Sequence, residues 1–240
     1  MNRWHKVWSS RQITNRNDQD IAPPLSKLLS IDGFDSGTGL IGEEAWLDFT
    51  KRISDRFAIT DGDSIYDVGC GAGAFLYPFS RAGSPVGGLD YAAAQIDFCK
   101  HLFKTGEFST EEAINLTANP RYSYVMSFSV FFYFPDLNYA STVLRKMLRK
   151  ARKGVLVLDV PDAAKRDECE KHRASTLPPG EYERRYKDLE HLYYHRSWFA
   201  RQAETHGWNV SIEDQFIKEY ANNSFRFNCY FFPNPNGMPP

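Results

Sequence analysis

The sequence predicts an α/β fold with a doubly wound, seven-stranded sheet whose C-terminal strand is antiparallel. Strand and helix patterns alternate from residue 62 to 206, two strand patterns then follow one another, and a glycine-rich turn follows the first strand. The alternation indicates a parallel sheet with helices on both faces, because right-handed crossovers place a helix between successive parallel strands. The ligands of such sheets lie outside the carboxyl ends of the strands.

Composition and charge are those of an ordinary globular protein. The chain has 240 residues, of which 42% are hydrophobic and 25% charged, and this is enough apolar material for a sizeable core. Its 29 Lys and Arg against 30 Asp and Glu give a formal net charge of −1, which argues against bulk binding to nucleic acid or an anionic membrane. The aromatic share of 15% either fills the core or lines a pocket for an organic substrate.

The cysteines and the N-terminus bear on cellular location. Cys70, Cys99, Cys169 and Cys229 are far apart and lack zinc-ligand spacing, so we expect reduced thiols and no metal. The N-terminal residues lack the apolar stretch of a signal peptide, and the longest uncharged apolar segment, residues 122–135, is too short to span a bilayer. We therefore expect a cytoplasmic monomer or homodimer that binds neither membranes nor nucleic acid.

Residues 1–60 are predicted to form a helical N-terminal lid. Trp4 and Trp8 have helical spacing, the Pro23-Pro24 pair ends any long helix, and residues 43–57 carry an amphipathic helical pattern. We expect the region of Trp4, Trp8 and Trp46 to cover the ligand crevice and to exclude water from it.

The rest of the chain is predicted to form three parts. Residues 61–161 form the cofactor-binding core, residues 162–196 a helical cap insertion, and residues 197–240 the C-terminal part of the core sheet. The insertion is polar and is broken by Pro178-Pro179-Gly180, and it interrupts the order of strands and helices.

Apolar patterning and turn residues set the elements of the sheet. The strand patterns lie at residues 64–68, 86–89, 108–111, 122–130, 155–160, 208–216 and 225–232. The helix patterns between them lie at residues 74–81, 91–104, 138–153 and 197–206. Gly154 is predicted to cap the end of the third of these helices, and Ser197 the start of the fourth. The last two strand patterns predict an antiparallel pair.

The turn after the first strand is the most informative segment. Gly69, Cys70, Gly71 and Gly73 follow the strand and precede a helix, and glycine lets the backbone approach a ligand without a Cβ clash. The same glycines also satisfy the dinucleotide pattern, so they leave two ligand classes open. Asp67 favours one of them, because a carboxylate repels a pyrophosphate and attracts the ammonium group of S-adenosylmethionine.

A second acid follows the next strand. Asp90 lies 21 residues beyond Gly69, where a carboxylate can accept hydrogen bonds from both hydroxyls of a ribose. DVGCGAGAF, GLD at residues 88–90, and the segments over 122–137 and 143–160 resemble motifs of the class I S-adenosylmethionine-dependent methyltransferases, in their small-molecule branch. The resemblance covers residues 65–160 and, by topology, 197–232. It implies a Rossmann-like fold and S-adenosyl-L-methionine as cofactor.

The resemblance also implies roles for single residues. The backbone of Gly69 to Gly73 would face the methionyl part of the cofactor, with Asp67 near its amino group. Asp90 would hold the ribose hydroxyls, and Tyr91 would lie beside the adenine.

The same resemblance extends to the third and fourth strands. Glu112 would accept a hydrogen bond from the adenine amino group, and the N–H of Ala113 would face the ring. Ser127 would lie under the sulfonium.

Four residues are candidates for a general base or an acceptor contact. Asp159 lies near the carboxyl end of the fifth strand, and Tyr133 in the loop after the fourth strand. His191 and His195 have the i, i+4 spacing of one helical face, but no HExxH pattern accompanies them, so we predict no metal site. Each candidate also has a structural alternative: a strand-end acid, solvated histidines, or a packed tyrosine.

The sequence therefore predicts a methyltransferase that acts on a small organic acceptor, with O-methylation by in-line transfer favoured and N- or C-methylation open. Alignment of donor and acceptor is the main requirement, since the donor is already activated. Two alternatives stay open: an NAD(P)-dependent oxidoreductase, and a non-catalytic S-adenosylmethionine-binding subunit.

Overall fold

A computed structural model describes residues 3–10 and 23–234. Its seven-stranded sheet has the order β3-β2-β1-β4-β5-β7-β6. The pairs from β3 to β5 are parallel, and β7 is antiparallel to both of its neighbours, which confirms the predicted fold class. The strands are β1 (Ile65–Val68), β2 (Val86–Asp90), β3 (Glu107–Thr110), β4 (Tyr122–Phe128), β5 (Ala151–Pro161), β6 (Trp208–Asp214) and β7 (Arg226–Pro233).

Helices cover both faces of this sheet. They are α1 (Arg3–Ser9), α2 (Leu25–Ile31), α3 (Glu43–Phe57), α4 (Leu76–Arg81), α5 (Ala93–Leu102), α6 (Leu137–Lys150), α7 (Arg166–Ser175), α8 (Glu181–Tyr186) and α9 (Arg196–Thr205). One face packs against α2 to α5, and the other against α6 and α9. Within the described part of the chain, no helix is long and apolar enough to cross a membrane.

The alternation of side chains along the central strands builds the two cores. In β5, Leu156 and Leu158 belong to the core under α3, whereas Val155 and Val157 belong to the core under α6. Every residue of β4 is buried, as expected of a strand covered on both faces. The sheet therefore lies between two cores, and its carboxyl edge carries the site.

The predicted cap at Gly154 is wrong. α6 ends at Lys150, and β5 begins at Ala151, so Gly154 lies inside the strand. A Cβ on Gly154 would lie 3.2 Å from the carbonyl oxygen of Phe231 and 3.2 Å from the ring of Tyr124. Glycine at this position therefore allows the neighbouring strands to approach closely and does not end a helix.

The segment with the two histidines is not helical. Residues 187–195 join α8 to α9 without a helix, and α9 begins at Arg196, with His195 rather than Ser197 as its N-cap. The N–H of Tyr194 donates to Pro161 O at 3.0 Å, and Tyr194 O accepts from the N–H of Ala163 at 2.9 Å. These bonds hold the segment extended beside the end of β5.

Candidate active site

A cavity of about 870 Å³ opens at the carboxyl ends of β1, β2 and β4, within the roughly 300–1,000 Å³ usual for small-molecule sites. Its lining contains two groups of ionisable side chains. The acidic cluster consists of Asp32, Asp67, Asp90 and Glu112. The basic cluster consists of Arg173, Arg226 and His191.

The glycine turn forms the floor of the acidic cluster. Gly69 has φ +80°, and a Cβ there would lie 2.6 Å from Cγ2 of Val130, so no other residue fits without displacing Val130. Gly69, Cys70 and Gly71 all line the cavity. The backbone thus comes to the surface of the cavity where a side chain would otherwise stand.

Asp67 lies at the end of β1 beneath this turn. It is 2% exposed, and its Oδ1 has no hydrogen-bond partner among the described residues. Burial raises the pKa of this carboxyl well above its usual range, and the nearby carboxylates of Asp32 and Asp90 raise it further. A cationic donor group placed against Oδ1 would satisfy both the hydrogen bond and the charge.

Asp32 is a site residue that the sequence analysis missed. It follows α2, and its Oδ1 accepts from the N–H of Ala72 at 2.7 Å while its Oδ2 accepts from the N–H of Ala74 at 3.0 Å. No local pattern distinguishes Asp32-Gly33 from an ordinary turn, so its contact with a loop of distant sequence is a tertiary event.

Asp90 lies at the end of β2, beside the turn. Its Oδ2 accepts from the N–H of Gly71 at 3.1 Å, and its Oδ1 accepts from the N–H of Ala92 at 2.8 Å. Burial raises the pKa of Asp90, and these two N–H donors oppose the shift. A carboxylate has about four lone-pair sites, so Asp90 retains acceptor capacity toward the cavity.

The predicted adenine contacts also border the cavity. Tyr91 stacks on His5 of α1 with ring centroids 4.3 Å apart. Glu112 accepts from the hydroxyl of Tyr139 at 3.2 Å and lies 3.4 Å from Nε2 of His5. Ala113 lines the same region. α1 thus covers this part of the site.

Two predicted cofactor residues do not line the cavity. Gly73 faces the end of α5, and a Cβ added to Gly73 would lie 2.5 Å from the ring of Phe103. Ser127 is fully buried inside β4, where its hydroxyl donates to Val68 O at 2.8 Å. Ser129, two residues later and with φ +60°, lines the cavity in its place.

His191 is the centre of the basic cluster. Its Nδ1 lies 2.9 Å from Nη1 of Arg173, and its ring stacks on Trp4 with centroids 4.9 Å apart. Burial lowers the pKa of His191 well below its usual value, and the cations of Arg173 and Arg226 lower it further. His191 is therefore neutral. The ring of Tyr133 packs against it with centroids 5.6 Å apart and borders the same space.

The other two candidates lie outside the cavity. Asp159 is buried behind it, and its carboxylate accepts from the hydroxyls of Ser129 and, at 3.1 Å, of Tyr220. His195 is exposed at the start of α9 and does not line the cavity. The structure therefore brings His191 and Tyr133 together and leaves His195 apart.

Comparison with known proteins identifies the architecture. A family model described as a methyltransferase domain matches residues 41–211. No curated protein sequence matches the chain significantly. The family match spans the glycine turn, the sheet from β1 to β5 and the segment that carries Arg173 and His191.

Solved structures share the fold at low sequence identity. Magnesium protoporphyrin IX methyltransferase from Synechocystis PCC 6803, with bound SAH (S-adenosylhomocysteine), is 15% identical, with a TM-score of 0.58 over 97% of this chain and 93% of that chain. The plantazolicin methyltransferase BpumL with SAH is 15% identical, with a TM-score of 0.62 over 96% and 93%. The amino pentose methyltransferase CalS10 from Micromonospora echinaspora, bound to S-adenosylmethionine, is 12% identical, with a TM-score of 0.59 over 90% and 99%.

Proposed function

Because this chain belongs to the methyltransferase domain family, we propose that it transfers the methyl group of S-adenosylmethionine to an oxygen atom of a small organic acceptor. The observation that carries the proposal is the buried Oδ1 of Asp67, which has no partner in the described part of the chain. An unpaired buried carboxylate is costly, and the ammonium group of S-adenosylmethionine would satisfy it.

The rest of the acidic cluster fits the same ligand. Asp90 keeps lone pairs for the two ribose hydroxyls, while its N–H donors hold its carboxylate in place. Tyr91 offers a ring beside the adenine, and Glu112 an acceptor for the adenine amino group. These roles are proposals supported by the position of each residue on the cavity wall.

The turn offers little to a dinucleotide. A pyrophosphate needs free backbone N–H groups at the glycine turn. Here the N–H groups of Gly69 and Cys70 donate to Leu89 O at 2.8 and 3.0 Å, and that of Gly71 donates to Asp90. The carboxylate of Asp32 accepts hydrogen bonds from two further backbone N–H groups of the turn. The acids that favour a cation therefore also occupy the donors that an anion requires.

S-adenosylmethionine supplies a methyl group on a cationic sulfur, so the residues of this chain mainly align the reactants and exclude water. Alignment of two reactants contributes on the order of 7–11 kcal/mol in favourable cases. α1 lies over the cavity, since Trp4 stacks on His191 and its Nε1 donates to Glu190 O at 2.9 Å. This contact supports a role of α1 in excluding water from the acceptor side.

We propose that His191 and Tyr133 contact the acceptor. Asp159 acts through other residues: it receives the hydroxyls of Ser129 and Tyr220, both of which line the cavity. Because both hydroxyls donate to Asp159, it is a positioning residue that fixes the orientation of two groups on the cavity wall.

A small acceptor is supported by the cavity volume of about 870 Å³, which leaves limited room beside a nucleoside. The relatives named above act, by their names, on a porphyrin, on plantazolicin and on an amino pentose. The four cysteines are free and buried, as is usual in a reducing compartment, and this supports a cytoplasmic location.

Binding and transfer are tested in sequence. Titration calorimetry of the purified protein should show saturable binding of SAH and none of NAD⁺. Transfer of tritium from methyl-labelled S-adenosylmethionine to a panel of small hydroxyl and carboxyl compounds should then give O-methylated products by mass spectrometry. Binding of NAD⁺ instead of SAH would refute the cofactor assignment, and N- or C-methyl products would refute the choice of oxygen.

A further inference from the structure

We propose that the acceptor is an organic carboxylate, held by Arg226, Arg173 and His191, and that one of its own oxygens is the nucleophile. This inference rests on the proposed function and names its substrate class. Three observations carry it: a buried guanidinium with unused donors, a histidine fixed as a donor, and a neighbouring carboxylate, that of Asp159, which is already engaged by other donors.

Arg226 is the first observation. It begins β7, lines the cavity and is 5% exposed, yet its Nε and Nη1 are buried without a hydrogen-bond partner in the described residues. The nearest carboxylate oxygen, Oδ1 of Asp159, is 3.8 Å from Nε, too far for a hydrogen bond. Its guanidinium lies 4.7 Å from the ring centroid of Phe132. The charge is balanced, but these donors are not used.

A guanidinium in this state is prepared for an oxyanion. Its planar fork of N–H groups matches a carboxylate with two parallel hydrogen bonds. Burial of unpaired donors costs free energy in the ligand-free protein, and a bound carboxylate would recover it. A neutral ligand offers weaker acceptors and does not complement the charge of the cluster.

His191 is the second observation. Arginine has only donors, so the 2.9 Å contact makes Nδ1 of His191 the acceptor and Nη1 of Arg173 the donor. A neutral imidazole with a lone pair on Nδ1 carries its proton on Nε2. This Nε2 is buried and has no partner among the residues described. His191 therefore presents an N–H, and it cannot accept a proton from a substrate hydroxyl in this state.

Arg173 supplies a second positive charge to the cluster. Its guanidinium lies 4.3 Å from the ring centroid of Tyr186, which holds it beside His191. The ring centroid of Phe132 lies 4.8 Å from that of His191 and 4.7 Å from the guanidinium of Arg226, so the basic cluster occupies one region. The cations of Arg173 and Arg226 both lower the pKa of His191. Asp159 is the carboxylate that interacts with Arg226 there, and the cluster keeps an excess of positive charge.

The third observation concerns proton removal. A hydroxyl acceptor needs a base near it, and the carboxylate of Asp159 is already committed to Ser129, Tyr220 and, at 3.4 Å, Nε2 of Gln215. A carboxylate acceptor needs no base. One of its oxygens forms the bond to the methyl carbon as the carbon–sulfur bond breaks, and that electron pair stays on sulfur. The products are a methyl ester and SAH with a neutral sulfur, and no proton moves.

The rings of Trp4, Phe132 and Tyr133 border the basic cluster, so aromatic acids are suitable probes. We would titrate the SAH-bound protein with benzoate, phenylacetate and indole-3-acetate, and with their neutral amides. Each acid should bind at least about tenfold more tightly than its amide, the scale of a lost charged hydrogen bond. Equal affinities, or no binding of any acid, would overturn the proposal.

Variants of the basic cluster test whether its side chains bind the acids. Arg226→Gln and Arg173→Gln should each weaken binding of the acids by about tenfold or more while leaving SAH binding unchanged. Arg173 is only partly buried, so its variant serves if Arg226→Gln fails to fold. Arg201→Gln on the exposed face of α9 is the matched control and should change neither affinity.

Product chemistry provides an independent readout. After incubation with tritiated S-adenosylmethionine and these acids, mild base should release the label as volatile methanol, because esters hydrolyse and methyl ethers do not. A base-stable product would refute the carboxylate nucleophile. Tighter binding of phenyl phosphate than of benzoate would overturn the choice of carboxylate over phosphate. If SAH itself does not bind, the proposed function fails; if SAH binds and the acids do not, only this inference fails.

Discussion

Asp32 accepts the backbone N–H of Ala72 at 2.7 Å and thereby ties the end of α2 to the glycine turn, forty residues later in the chain. The bond fixes the turn in the conformation that exposes its backbone to the cavity. It also places a second carboxylate, beside that of Asp90, near Asp67, whose pKa it helps to raise. One side chain therefore contributes both to the shape and to the charge of the acidic cluster.

Replacing Asp32 with Ala should lower the free energy of unfolding by about 1–3 kcal/mol, because two backbone donors lose a charged acceptor. SAH binding should weaken as the turn loosens. Urea denaturation and calorimetry measure the two effects. Asp55→Ala removes an exposed carboxylate paired with Lys51 on α3 and should change stability by less than about 0.5 kcal/mol. Equal stability of both variants would contradict the role given to Asp32.

Replacing Asp90 with Ala should weaken SAH binding by roughly 1–3 kcal/mol, the cost of lost hydrogen bonds to a charged acceptor. The variant also frees the N–H groups of Gly71 and Ala92, so its stability should be measured alongside. Asp97→Ala, an exposed position on α5, is the control. Unchanged affinity in Asp90→Ala would remove this residue from the cofactor site.

Binding of S-adenosylmethionine should release a proton from Asp67. Burial and the neighbouring carboxylates raise the pKa of Asp67 in the ligand-free protein, and an adjacent ammonium group lowers it again. Affinity should therefore fall as the pH falls through the raised pKa. The raised pKa also means that protonation of Asp67 stabilises the ligand-free fold, a contribution that is present at low pH and is lost as the pH rises through that pKa.

Calorimetry in two buffers of different ionisation enthalpy measures the released proton. Asp67→Asn should abolish this part of the pH dependence, and Asp97→Asn should preserve it. Identical binding enthalpies in the two buffers, after correction for SAH or S-adenosylmethionine ionisation, would show that Asp67 does not titrate on binding.

Gly69→Ala should destabilise the protein and abolish SAH binding. The substitution adds the strain of a positive φ, about 1–2 kcal/mol, and a Cβ only 2.6 Å from Cγ2 of Val130. Gly180 has φ +77°, but a Cβ added there would meet no atom within 4 Å, so Gly180→Ala isolates the strain alone. Chemical denaturation should show the larger loss for Gly69→Ala, with partial recovery in Gly69→Ala/Val130→Ala. Equal losses would mean that the contact with Val130 is unimportant.

Much of the fold follows from local pattern. The apolar spacing of residues 43–57 predicts a helix, and α3 has these bounds. The apolar run from Tyr122 predicts the fully buried β4, and the consecutive terminal patterns predict the antiparallel β6–β7 pair. Such patterns are reliable because helix and strand periodicities are set by the backbone itself.

Local pattern does not decide where elements end when packing competes. Gly154 is of the residue type that commonly ends helices. The hydrogen-bond ladder between β4 and β5 nevertheless includes it. His191 and His195 have helical spacing, yet hydrogen bonds of Tyr194 hold that segment extended. In both cases contacts with distant residues outweigh a weak local preference.

Local pattern is enough to specify the alternating sheet and the glycine turn, and it places Asp67 and Asp90 because each lies at the end of a strand. Tertiary packing brings Asp32 to these acids and gathers Arg226, from the last strand, with Arg173 and His191 on the cavity wall. Those partners are far apart in the chain, and only the packing of sheet, cap and N-terminal helices brings their charges together.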